Sequence, residues 1–67
     1  MSNLNQIVFV EFPANLNHDT FDFWYYNEMG YENAFIAVDG GIAVHRNQYN
    51  WFETKVLAAA EYAQESN

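Results

Sequence analysis

No cysteine occurs anywhere in this chain of 67 residues. A domain so short has to order each residue at about 1.5 kcal/mol, on the order of 100 kcal/mol in total, against a core whose burial barely matches that figure. Small natural domains commonly close the gap with disulfides or a structural metal. Without thiols, neither a disulfide nor a thiolate zinc site is available. Two routes remain, dense aromatic packing and oligomerisation. Six Phe, five Tyr and two Trp make up 19% of the chain, and each buries a large area; an aromatic core is therefore expected, with a homodimer left open. The apolar fraction of 51% excludes intrinsic disorder, which requires low hydrophobicity as well as high net charge. With no repeat, low-complexity tract or linker, the chain reads as one small acidic domain spanning residues 1–67.

Strand signals dominate the first two thirds. Gln6-Ile7-Val8-Phe9-Val10-Glu11-Phe12 concentrates β-branched and aromatic residues and stops at Pro13. Val8, Val10 and Phe12 occupy one face and Ile7 and Phe9 the other, so it reads as an interior strand. Residues 34–46 read as a β-hairpin whose three-residue connection, Asp39-Gly40-Gly41, supplies the positive φ that such turns need. That loop pairs Val38 with Ile42, Ala37 with Ala43 and Ile36 with Val44, which puts the large side chains on one face and the alanines on the other.

The asparagine-rich stretch 14–19 reads as a loop, and residues 20–26 admit two readings. As a helix, Asp19 caps it, Phe21, Trp24, Tyr25 and Glu28 share a face, and Gly30 ends it. As a strand, Phe21, Phe23 and Tyr25 point one way and Asp22, Trp24 and Tyr26 the other. Consecutive aromatics suit a pleated surface better than a helix, so the strand is preferred. From Trp51 to about Gln64 the chain reads as a helix, with Asn50 as N-cap, Glu53 completing a capping-box pattern, and Phe52, Val56, Ala59, Ala60 and Ala63 as the apolar stripe. The expected fold is α+β: a small antiparallel sheet of three or four strands, the hairpin included, with the C-terminal helix packed on one face.

Candidate chemistry is sparse. A metal site would need His18 and His45 to converge with a carboxylate such as Asp19 or Glu11, and no His pair at helical spacing enforces that. The two serines, Ser2 and Ser66, stand at the termini, and Thr20 and Thr54 have no adjacent base. Asp19 with Asp22, or Glu28 with Glu32, could serve acid–base work only inside a cleft that separates their pKa values. Asp39-Gly40-Gly41 lacks the lysine and following helix of a phosphate-binding loop. Neither catalytic residues nor a cofactor or metal are assigned, and the expectation is a non-enzymatic protein.

Charge is the more informative feature. Nine acidic residues against two basic ones give a formal net charge of −7. Arg46 and Lys55 alone cannot neutralise a row of phosphates, so direct binding to nucleic acid or to an anionic membrane is not expected. Glu53, Glu61 and Glu65 fall on one stripe of the C-terminal helix with Leu57 between them, spanning about 18 Å. Glu61 and Glu65 oppose the helix dipole there, so local stability does not explain them. Asp19, Asp22, Glu28 and Glu32 form a second acidic segment among Phe21, Phe23, Trp24, Tyr25, Tyr26 and Tyr31. Carboxylates that meet Arg and Lys, beside Trp24 and Tyr26 as anchors, suit the docking of a basic protein surface.

In size, charge and absent catalytic groups the chain resembles phage-encoded inhibitors such as anti-CRISPR, anti-restriction and DNA-mimic proteins. The resemblance covers bulk properties only and rests on no motif. It implies an inhibitor that occupies the basic, nucleic-acid-binding surface of a partner. The alternative is a small accessory or homodimeric structural domain whose acidity serves only solubility. The N-terminus shows no basic region ahead of an apolar run, so no signal peptide is read there. The longest apolar runs are too short to span a bilayer, and a cytoplasmic location, the host cytoplasm if the protein is viral, is expected.

Overall fold

The computed structural model describes residues 6–30 and 32–65; the signal-peptide reading of residues 1–5, together with Tyr31, Ser2 and Ser66, lies outside them. Six elements follow in chain order: strand β1 (Ile7–Glu11), helix α1 (His18–Glu28), strands β2 (Ile36–Val38) and β3 (Gly41–His45), a 3-10 turn (Arg46–Gln48) and helix α2 (Tyr49–Glu65). The three strands form one antiparallel sheet in the order β1-β3-β2, and α2 packs against it. This is the α+β domain expected from the sequence.

Four expectations need correction. First, β1 is an edge strand, because β3 lies between it and β2. Its Val8 and Val10 face the core, while Ile7 and Phe9 on the other face remain 48% and 49% exposed. A strand apolar on both faces is therefore covered on only one.

Second, the hairpin turns on two residues, Asp39 and Gly40, with pairs Val38↔Gly41, Ala37↔Ile42 and Ile36↔Ala43. Gly40 alone takes positive φ in the turn, at 81°. Gly41 belongs to the strand because nothing larger fits: a Cβ there would run into the Val10 carbonyl oxygen and lie 2.9 Å from Cε1 of the Phe9 ring. The one-residue shift turns the large side chains of β2 and β3 to opposite faces. Ile42 and Val44 point into the core, whereas Ile36 points away from it.

Third, residues 20–26 are helical. Leu16 is buried, its amide donates to the Pro13 carbonyl, and the turn so formed delivers Asn17 to the N-cap position. There the Asn17 side chain accepts from the Thr20 amide at 2.8 Å, a role assigned above to Asp19. Gly30, at φ 68°, follows the Met29 C-cap. Helical spacing places Phe21 and Tyr25 on one face, and both are fully buried. Fourth, Asn50 does not cap α2, which begins at Tyr49 directly after the 3-10 turn. The cap before that turn is His45, whose Nδ1 accepts from the Asn47 amide at 3.2 Å.

Aromatic rings join the two helices to the segment before β2 in the core. Phe21 and Tyr25 stack at 5.5 Å and Tyr25 and Phe52 at 5.7 Å, and Phe35 meets Phe21, Tyr25 and Phe52 edge-on at 5.2, 5.1 and 5.9 Å. Full burial of one such ring contributes about 1.5–3 kcal/mol. The Tyr25 hydroxyl is satisfied by donating to the Asn33 carbonyl at 2.7 Å. On α2, Phe52, Val56, Ala59 and Ala63 are the buried positions, as the apolar stripe predicts. Small residues in its second half let the helix approach its neighbours closely.

Candidate functional site

Helices α1 and α2 run antiparallel in one layer. Tyr25 near the end of α1 meets Trp51 and Phe52 at the start of α2, while Asp19, Thr20 and Phe23 at the start of α1 face Tyr62 and Ala63 at the end of α2 across an open cleft of about 380 Å³. Asn15 and Asn17 complete its lining. Asn15 Nδ2 donates to the Ala60 carbonyl at 3.0 Å and so ties the loop before α1 to the last turns of α2. The size is at the lower end for ligand pockets. The lining offers two aromatic side chains, a carboxylate and several amide and hydroxyl groups.

The electrostatics at this end are negative. The last turn of α2 holds no basic residue, so its free carbonyls and the carboxylates of Glu61 and Glu65 add to one another. The partial positive charge at the start of α1 is offset by Asp19 in its first turn. Of the two Lys and Arg side chains in the chain, Lys55 lies over the Trp51 ring at 5.1 Å from its centroid, about 10 Å along the helix from Tyr62. Arg46 sits in the 3-10 turn after β3.

The residues expected to bind a partner divide accordingly. The fold brings Asp19 to the end of α2 that carries Glu61 and Glu65, all three exposed. Glu28 and Glu53 are exposed at the opposite end of the helix pair, and Glu32 follows α1 in the loop. Glu53 stands 3.5 Å from the Tyr49 hydroxyl. Trp24 is half-buried against the core. Tyr26 is partly exposed, with Tyr25 edge-on at 5.5 Å and Phe35 stacked at 6.0 Å. Asp22 is half-buried with its Oδ1 shielded and unpartnered. Burial raises its pKa above the ordinary carboxylate value, His18 opposing and Asp19 reinforcing the effect.

Phe23 and Tyr62 were not singled out as binding residues in the sequence. The signal was present: on a helix Phe23 falls opposite the Phe21–Tyr25 face, and Tyr62 lies between two glutamates off the apolar stripe. Phe23 is 63% exposed, unusual for a phenylalanine.

The histidines do not converge. The Nε2–H of His18 donates to the Gly41 carbonyl at 2.8 Å, at the first residue of β3. His45 is the last residue of β3, and because its Nδ1 is an acceptor, Nε2 carries the ring proton toward Gln6 Oε1 at 3.3 Å. Among the described residues no group of three His, Cys, Asp or Glu could hold a metal ion, and no helix is long and apolar enough to cross a membrane. Comparison of the chain with protein families, curated proteins and solved structures finds no match.

Proposed function

We propose that this protein is a non-enzymatic acidic interaction protein that docks on a basic, nucleic-acid-binding surface of a partner protein and inhibits it, in the manner of DNA-mimic, anti-restriction and anti-CRISPR proteins. One observation carries the reading: Asp19 lines a cleft walled by Phe23 and Tyr62, and Glu61 and Glu65, far from it in sequence, are exposed on the last turns of α2 at the same end of the helix pair. An arginine of the partner enters that cleft, its guanidinium stacking on an aromatic wall and pairing with Asp19. Glu61 and Glu65 take flanking cations in place of backbone phosphates. Long-range attraction from a net charge of −7 speeds encounter, and the aromatic contacts slow dissociation. The site of action is the cytoplasm, that of the host if the protein is viral.

Capture of partners from a lysate, with nucleic acid as competitor, tests the reading. A basic partner that nucleic acid displaces supports it, provided that Glu61→Lys with Glu65→Lys weakens the complex more than about tenfold and leaves the circular dichroism unchanged. Unchanged affinity, or no competition by nucleic acid, contradicts it.

A further inference from the structure

The outer face of the sheet is the reverse of the helical layer. In the observed register Ile7, Phe9, Ile36, Val38 and Ala43 share that face, with Phe9, Ala43 and Ile36 in one row across the three strands. Three of the exposed large apolar side chains lie on it, Ile7 at 48%, Phe9 at 49% and Ile36 at 63%, and both helices pack on the other side. The ring of Phe9 lies over Gly41, which keeps this edge of the face flat. Charge is confined to the two ends. Glu11 and the Asp39 turn stand at one end, and His45 and Arg46 at the other, because Glu11 pairs with Gly41 and Ile7 with His45.

We infer that this face is the seat of a second copy of this chain, the two sheets packing face to face about a two-fold axis perpendicular to the strands. That axis reverses the strand direction, so the Glu11 end of each copy lies over the His45–Arg46 end of the other, and the uncharged Phe9-Ala43-Ile36 rows meet in the middle. An axis parallel to the strands would set Glu11 and Asp39 against their own equivalents, which like-charge repulsion opposes. Association through the helical layer would likewise confront six acidic residues, Asp19, Asp22, Glu28, Glu53, Glu61 and Glu65, with their equivalents. Three strands of up to five residues cover roughly 15 by 17 Å, a small patch beside the roughly 800 Å² per partner of a standard interface. The dimer is therefore weak and reversible. It is independent of the binding reading above, since it uses the opposite side of the molecule.

Sedimentation equilibrium of the full chain from about 10 µM to about 1 mM tests it. The mass is expected to rise with concentration from 7.8 kDa toward twice that value. Ile36→Lys, at an exposed position, should weaken the dimer by at least about tenfold with unchanged circular dichroism. Glu11→Arg and Arg46→Glu should each weaken it, and the double variant should restore it. A monomer throughout the range, an Ile36→Lys variant that associates like the wild type, or a double variant that fails to recover overturns the inference.

Discussion

Helices α1 and α2 lie side by side and share the same aromatic core, but they reach that arrangement by different routes. In α2 the helix is written locally. Alanines and leucine favour it, and Phe52, Val56, Ala59 and Ala63 recur at helical spacing and are the residues buried. In α1 seven consecutive residues from Thr20 include five aromatics, whose local preference is for a pleated strand. Only Phe21 and Tyr25 are fully buried on α1, while Phe23 is left on the outside. Tertiary contacts to Phe12, Phe35, Trp51 and Phe52 and the Asn17 cap override the local bias. The helix that contradicts its own propensities is also the one that presents an aromatic wall to solvent beside a carboxylate.

If that contrast holds, truncating the anchor of α1 does more damage than truncating α2. Tyr25→Ala is expected to cost about 3–5 kcal/mol, enough to unfold much of a chain this small, while Val56→Ala costs about 2 kcal/mol. Chemical denaturation of both variants checks the order, and equal losses would remove the distinction.

Capping sharpens it further. Asn17→Ala should destabilise by about 1 kcal/mol. Asn50→Ala, inside α2, should stay within about 0.5 kcal/mol of the wild type. Thermal melts of the two variants measure this, and a loss at Asn50 matching that at Asn17 would reinstate Asn50 as a cap.

The smallest effect concerns Asp22. Its raised pKa means that the folded state holds the proton more tightly than the unfolded chain, so this group's contribution to stability falls as pH rises through the carboxylate range. At neutral pH the shielded Oδ1 is a net cost. Asp22→Asn should therefore stabilise the fold slightly at pH 7, the gain being reduced by solvent screening at this part-exposed site, and lose that advantage below the ordinary carboxylate pKa. Melting curves of both proteins across that pH range provide the check; a pH-independent difference would show that ionisation of Asp22 is not its source.

What was legible in the sequence follows the same division. The α+β class, the paired strands at 36–45 and the α2 stripe could be read because periodicity and tertiary burial agree there. The strand reading of residues 20–26 failed because aromatic clustering was weighed by local propensity, whereas the Asn17 cap and the i, i+4 pair Phe21–Tyr25 decide the outcome. The hairpin register failed because Gly41 was taken as a turn residue, when its role is to let Val10 and Phe9 approach. Of the candidate site, the glutamates of α2 and Asp19 were found by charge. Phe23 was missed because the strand reading put it on one face with Phe21 and Tyr25, and Tyr62 because it was weighed neither with the glutamates beside it nor against the apolar stripe.

The central claim is that the negatively charged cleft between the start of α1 and the end of α2 accepts cationic side chains from a protein surface. Titration of the ¹⁵N-labelled protein with an arginine-rich peptide, followed by amide chemical shifts, tests it most directly. The account predicts saturable changes at Asp19, Thr20, Phe23 and Glu61–Ala63, abolished by Asp19→Lys and absent from Phe9 and Ile36 on the sheet. Changes spread evenly over all the carboxylates, or centred on the sheet face, would contradict it.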